Sequence, residues 1–125
     1  MKRRFFNRLM KKDLKSNDDY NEVINNRPKI IHDLINFCHT TYPNNDRGHL
    51  NLIVAMEELS ELQKEVSKGI RGKLDRNALL EEMADVEVCL LTLRDVYNIT
   101  DEELNKARYI KTSRIKRKVD NKTFS

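Results

Sequence analysis

Apolar residues recur at the spacing of an amphipathic helix along most of the chain, and residues that cap or break helices stand between these stretches. Helix A is predicted to begin near Pro28, because proline is tolerated in the first helical turn, and to end at YPNNDRG. Helix B is predicted from about His49 to Lys68. Its apolar stripe follows the i, i+3, i+4, i+7 spacing: Leu52, Ala55, Met56, Leu59, Leu62 and Val66.

Two further helices are predicted after the breaker GIRGKLD. Helix C spans about residues 76–97, with Asp75 or Asn77 as its N-cap, and Asn98 is expected to end it. TDEE, residues 100–103, is a capping box that opens helix D. The stripe of helix C alternates steps of four and three: Leu79, Met83, Val86, Leu90, Leu93 and Tyr97. The fold is therefore predicted to be an all-α helical bundle of about four helices.

Helix C is apolar on nearly every side between Val86 and Leu93, which places it at the centre of the bundle. A helix of this kind is too apolar for a lone small bundle. We therefore expect oligomerisation to complete the bundle, as a homodimer or homotetramer. If the stripes of helices B and C pack together as an antiparallel pair, their polar flanks are brought face to face.

Composition supports a single helical domain. The chain has 125 residues, 35% of them charged, with three Gly and no Trp. No apolar run approaches the ~20 residues of a membrane span, so no membrane association is expected. The N-terminus starts with positive charge but lacks the apolar stretch of a signal peptide. Cys38 and Cys89 lie in apolar helical stretches, as reduced core residues of a cytoplasmic protein would.

The net charge of +4 conceals a polarised chain. Residues 1–27 hold eight Lys or Arg against four acids, and residues 106–122 hold eight against one. Residues 57–87 reverse the sign, with nine acids against five bases. Basic segments favour a polyanionic partner such as nucleic acid, a nucleotide or acidic lipid, although Lys- and Arg-rich termini are also common as solvated ends.

The acids of helices B and C form two matching pairs. Glu58 and Glu61 are about 60° apart on helix B, and Glu82 and Asp85 are about 60° apart on helix C. Each pair flanks an apolar stripe in the same rotational sense. If the two stripes pack together, the four carboxylates converge on one shallow pocket, whereas isolated acidic helices are usually solvated faces. Converging carboxylates repel, and oxygen ligands suit hard ions, so the pattern favours Mg²⁺, or Mn²⁺.

The two acidic motifs resemble those of a known family. EELSE (57–61), a gap of 20 residues and EMAD (82–85) are similar to the EExxE…ExxD signature of MazG-like nucleoside triphosphate pyrophosphohydrolases, all-α enzymes related to dimeric dUTPases. The resemblance covers residues 28–118. It leaves residues 1–27 as a basic polar extension and residues 119–125 as a polar tail.

The resemblance implies Mg²⁺-dependent hydrolysis of a nucleoside or deoxynucleoside triphosphate to the monophosphate and pyrophosphate, in nucleotide-pool housecleaning. Glu57 corresponds to an acid that can hold or activate the attacking water. The implied metal ligands are the four remaining acids: Glu58, Glu61, Glu82 and Asp85. Basic residues of the last helix are implied to approach the phosphates: Lys111, Arg114 and, less directly, Lys106.

The base and sugar pocket is weakly marked in this chain, which has no Trp to stack on a base. Asn51 lies two turns before Glu58 and could reach a substrate. The other candidates are aromatic or imidazole side chains that also suit core or loop packing: His49, Tyr97, Phe37 and Tyr42.

Three other classes of protein are alternatives to the interpretation of this chain as an enzyme. A ferritin-like di-iron bundle needs Glu-x-x-His pairs, and none of His32, His39 and His49 lies three positions after a Glu. A non-enzymatic nucleic-acid-binding bundle would use the basic termini but leaves the paired acids without a role. A plain helical interaction module is favoured if the acids prove exposed and bind no metal.

Overall fold

The computed structural model describes residues 19–123, apart from the side chain at position 47, and contains no strand in that range. The prediction of an all-α fold is confirmed. A short 3₁₀ turn, Asp46–Gly48, precedes the third helix. The described residues form five α-helices: α1 (Tyr20–Asn25), α2 (Arg27–Thr41), α3 (His49–Ile70), α4 (Arg76–Val96) and α5 (Asp101–Asp120).

Local cap residues set the helix starts. Of the two N-cap candidates for α4, the structure uses Asp75, whose Oδ1 accepts a hydrogen bond from the backbone N–H of Ala78 at 3.1 Å. The predicted capping box also forms, because Thr100 Oγ1 accepts from the N–H of Glu103 at 3.1 Å and Glu103 Oε2 accepts from the N–H of Thr100 at 2.9 Å. The side chains that satisfy the first N–H groups of these helices therefore follow the sequence signals.

Replacement of Asp75 by Ala is expected to destabilise the protein by about 1 kcal/mol, because the first turn of α4 loses the acceptor for one backbone N–H. Urea unfolding followed by circular dichroism measures this loss. Asn77→Ala is the matched control, since Asn77 is exposed, lies inside the helix and should tolerate Ala without cost. Equal destabilisation by both substitutions would contradict the cap assignment.

Part of the polar segment before the predicted helix A is helical, since residues 20–25 form α1. The N-cap is Asp19, whose Oδ1 accepts from the N–H of Glu22 at 3.0 Å. Asp19 therefore starts a helix, in keeping with the preference of N-caps for Asp. The basic residues 1–18 lie outside the described part of the chain.

Helices α3 and α4 form the main packing unit. They are joined by residues 71–75 and run antiparallel, since Gly48, just before α3, lies beside Val96 at the end of α4. Helix α2 packs mainly on α4, where His32 Nδ1 lies 2.7 Å from Asp95 Oδ1. Helix α4 therefore contacts two other helices.

The two helices pair antiparallel, but their contact is not centred on the two apolar stripes. Met56, Leu59, Met83 and Leu90 are all exposed. The helices meet along another row of positions, also four and three residues apart, which we call the seam. The seam consists of Asn51, Ala55, Glu58, Leu62 and Glu65 on α3, and Ala78, Glu82, Asp85, Cys89 and Thr92 on α4. It shares Ala55 and Leu62 with the predicted stripe of α3, whereas the exposed stripe residues lie about 100° away from it. Small residues such as Ala55 and Cys89 let the two backbones approach.

A candidate metal centre between two helices

Three carboxylates converge on the seam. One ligand oxygen from each of Glu58, Glu82 and Asp85 lies within 4.8 Å of the other two. Glu58 and Glu82 are each only 5% exposed, and Asp85 is half-buried. The sequence therefore brings acids from both helices to one enclosed point, which we call the carboxylate cluster.

The cluster follows from the register of the two helices. Glu58 lies seven residues after Asn51 and three after Ala55, so it occupies the same side of α3 as these buried residues. Glu82 and Asp85 are three residues apart on α4 and lie in one row with Ala78 and Cys89. Because the hairpin is antiparallel, the middle of α3 lies opposite the middle of α4, and the three acids meet there.

Three negative charges at this spacing require positive charge nearby. Two carboxylates about 4.8 Å apart repel by roughly 3–4 kcal/mol at an effective dielectric constant near 20. Basic side chains, bound protons or a cation can offset that repulsion. A set made only of carboxylate oxygens suits a hard divalent cation such as Mg²⁺, Mn²⁺ or Ca²⁺ and is a poor match for soft metals. The donor set fits Mg²⁺.

The structure brings together three of the four predicted metal ligands. Glu61 is half-buried and lies outside the close group, with Lys64 Nζ 3.4 Å from its Oε1. Glu57 is exposed one position before Glu58. Glu57 precedes Glu58 and Glu61 follows it by less than one helical turn, so both lie near the cluster on α3.

A further acid lies on the seam and is not among the predicted metal ligands. Glu65 is 1% exposed, the most deeply buried charged side chain among residues 19–123, and its Oε1 accepts from Lys68 Nζ at 3.0 Å. Its spacing indicates burial, because Glu65 lies seven residues after Glu58 in the same 4–3 pattern. It falls outside the EExxE motif, so the motif alone does not select it.

The three cations proposed for phosphate binding lie on α5. Lys111 and Arg114 are exposed, and Lys106 Nζ lies 3.4 Å from Glu102 Oε1 in an exposed pair. Across the described chain, no helix packs extensively along α5. The structure therefore places these cations on an open helix surface and does not show them at the carboxylate cluster.

The candidates for a base and sugar pocket occupy different surroundings. Asn51 is buried at the start of the seam, where its Oδ1 accepts from Asn45 Nδ2 at 3.2 Å and its Nδ2 lies 3.8 Å from Cys38 Sγ. This amide joins α2, the N-cap residue of the 3₁₀ turn and α3. His49 is exposed at the first position of α3, and Tyr97 is exposed at the C-cap of α4.

Comparison with protein-family models, curated proteins and solved structures gave no match to this chain. The site therefore has to be interpreted from its own residues. Among the helices formed by residues 19–123, none combines the length and the apolar character needed to cross a bilayer. The fold and the site define an all-α protein with buried carboxylates at a helix–helix contact.

Proposed function

We propose that this chain is a Mg²⁺-dependent nucleoside triphosphate pyrophosphohydrolase that converts an NTP or dNTP to the monophosphate and pyrophosphate. The observation that carries the proposal is the buried convergence of Glu58, Glu82 and Asp85 from two helices. These are three of the acids that the resemblance to MazG-like enzymes names as metal ligands. The housecleaning role follows from the same resemblance.

In this proposal Glu58, Glu82 and Asp85 hold the cation. The bound cation would offset the negative charge of the triphosphate, which the acidic site alone would repel. Glu57 stands one position before Glu58, and its carboxylate can accept a proton from the attacking water, whereas Glu61 is the fourth metal ligand that the resemblance implies. Exposed cations on α5, Lys111 and Arg114 among them, are available to contact phosphate oxygens.

The direct experiment is an assay of pyrophosphate release by the full chain from a panel of common and damaged nucleotides, with Mg²⁺, with Mn²⁺ and with chelator. The proposal expects release of pyrophosphate, and no release of single phosphate, from at least one nucleotide in the presence of Mg²⁺. It also expects chelator to abolish the reaction. Failure of every nucleotide to react with either metal would contradict it.

A second function has one observation in its favour. Residues 106–118 of α5 carry seven Lys or Arg and no acid, on a helix that is exposed along most of its length. A surface of this kind binds nucleic-acid phosphates in a strongly salt-dependent way. DNA and RNA binding, measured at two salt concentrations, separates the functions: binding that weakens steeply with salt, without nucleotide hydrolysis, would favour the non-enzymatic module.

A further inference from the structure

A buried carboxylate and a lysine form an ion pair near the C-terminal end of α3. Glu65 is 1% exposed, and its Oε1 accepts a hydrogen bond from Lys68 Nζ at 3.0 Å. A carboxylate is rarely buried unless a positive group pairs with it. The Lys68 ammonium is therefore held at the edge of the seam, whereas a solvated lysine moves freely on its four-carbon stem.

Lys68 retains donors for a second partner. An ammonium has three N–H donors, and the contact with Glu65 uses one of them. The side chain of Lys68 is 39% exposed, whereas that of Glu65 is 2% exposed. The pair therefore extends from the buried seam to the surface, where the ammonium can contact an anion.

Lys68 lies on the flank of α3 that also carries Glu61. The two residues are seven apart in the helix, so they point in directions only about 20° apart. Leu59 and the other exposed stripe residues lie on the opposite flank of the seam. Lys68 thus shares one row of α3 with an acid that the proposed function uses.

Helix α2 packs at the other end of the hairpin. It contacts the start of α3, where Cys38 Sγ lies 3.8 Å from Asn51 Nδ2, and the end of α4, where His32 pairs with Asp95. Lys68 lies in the last turn of α3, far along the helix from Asn51. These contacts of α2 are therefore remote from Lys68.

The separation between Lys68 and the carboxylate cluster suits a chain of phosphates. Glu65, which holds the ammonium, lies seven residues after Glu58, a rise of ~10 Å along α3. Both side chains lean toward the N-terminus of the helix, so their carboxylates keep a similar separation. A single phosphate at the cluster is too short to reach Lys68, whereas the terminal phosphates of a triphosphate extend toward it.

The charge along α3 changes sign between these two points. Residues 57–61 carry three acids and no base. Residues 62–73 carry four Lys or Arg and one acid, which is the buried Glu65. A polyanion that binds with a cation at the acids therefore meets positive charge as it extends toward the end of α3.

We infer that Lys68 binds the terminal phosphates of the substrate and that Glu65 positions the ammonium for this contact. The inference deepens the proposed function and rests on it for the class of substrate. The terminal phosphate carries the most charge in a triphosphate, so an ammonium attracts it most strongly. In pyrophosphate release the same phosphates leave, and Lys68 offsets the charge that develops on them.

Binding of inorganic triphosphate to the full chain in the presence of Mg²⁺ tests this contact without catalysis. Lys68→Met is expected to weaken the binding, measured by titration calorimetry, by about 10–100-fold, the effect of one charged hydrogen bond. Lys73→Met is the matched control. It removes the same charge from an exposed lysine in the loop after α3, and a change of less than about three-fold is expected.

A double variant covers the case in which Lys68→Met fails to fold because the Glu65 carboxylate stays charged in the seam. Glu65→Gln/Lys68→Met removes both charges and keeps the net charge of the chain. Its affinity for inorganic triphosphate is expected to fall as far as that of Lys68→Met. Lys68→Arg keeps the positive charge and should retain most of the binding. A purely structural role of the pair would lower Tm without changing the affinity of the folded protein.

The possible results separate this inference from the proposed function. Equal affinities of Lys68→Met and Lys73→Met for inorganic triphosphate would overturn the inference, as would a wild type that binds none in the presence of Mg²⁺. Nucleotide hydrolysis by the wild type alongside either result would leave the proposed function standing. Lys68-dependent binding of triphosphate without hydrolysis of any nucleotide would support the phosphate contact and contradict only the reaction.

Discussion

Replacing Asp85 with Asn is expected to lower Mg²⁺-dependent pyrophosphate release by more than about 100-fold in kcat/KM, the largest effect expected for any single residue of the site. Even residues that only support a metal ligand cost 10–100-fold when they are changed, and Asp85 is proposed to bind the cation directly. Asn keeps the shape of the side chain but removes its charge. Kinetics with the best substrate from the nucleotide panel measure the change.

Glu87→Gln is the matched control for charge. It removes one carboxylate from the same helix, two residues from Asp85, but Glu87 is exposed on the outer side of α4. Activity within about two-fold of wild type is expected. Comparable losses in Asp85→Asn and Glu87→Gln would mean that general electrostatics, and not a bound ion, determine the rate. The same kinetics on Glu61→Gln then test whether a fourth carboxylate binds the ion, as the resemblance implies.

Thermal unfolding gives a readout that does not depend on catalysis. A cation that binds only the folded chain stabilises it by about 2.7 kcal/mol at 100 times its dissociation constant. Mg²⁺ is therefore expected to raise the Tm of the wild type and of Glu87→Gln, and to leave Asp85→Asn unchanged. An equal Mg²⁺ shift in all three proteins would place the ion elsewhere. The measurements should share one protein concentration, because association also changes Tm.

The helices could be predicted from sequence because their signals are local. Asp75 and Thr100 cap the helices that follow them, and the 3.6-residue period of apolar positions reaches close to the observed ends of α3 and α4. Helix α1 buries no residue, so its sequence has no apolar period from which a helix could be predicted. A helix defined by its cap alone is difficult to distinguish from a turn.

The choice of helix face could not be predicted in the same way. On α3 and α4 the seam and the apolar stripe have the same 4–3 spacing and differ by a rotation of about 100°. Periodicity therefore describes both faces equally well. Hydrophobicity favours the stripe as the contact within one chain, but the structure uses a row with small residues such as Ala55 and Ala78. Which face meets which helix depends on tertiary packing, which the period of apolar positions does not encode.

The carboxylate cluster was predictable for a different reason. Glu58, Glu82 and Asp85 belong to the flanks that were expected to face each other, and all three lie on the seam, so a contact centred away from the stripes still brings them together. The position of α5 relative to the other helices could not be predicted in this way. Its seven Lys and Arg residues follow a capping box that fixes where the helix starts, but nothing in that signal fixes where the helix lies.

Gly48→Ala is expected to destabilise the protein by about 2–5 kcal/mol. Gly48 has φ +71° at the junction between the 3₁₀ turn and α3, and a left-handed conformation costs an L-residue roughly 1–2 kcal/mol. A Cβ atom there would also lie 2.8 Å from Val96 Cγ2, and overpacking of this kind costs about 1–3 kcal/mol. Denaturant unfolding at constant protein concentration measures the sum.

Two companion variants separate the causes of that loss. Gly72 has nearly the same backbone conformation, with φ +74°, but no atom lies within 4 Å of its Cβ position. Gly72→Ala should therefore cost only the conformational part, roughly 1–2 kcal/mol. In a Val96→Ala background, Gly48→Ala should cost the same smaller amount, because the clashing methyl groups are gone. If Gly48→Ala and Gly72→Ala destabilise the wild type equally, the close approach of the α3 start to the α4 end is wrong, and with it the antiparallel register that brings Glu58 to Asp85.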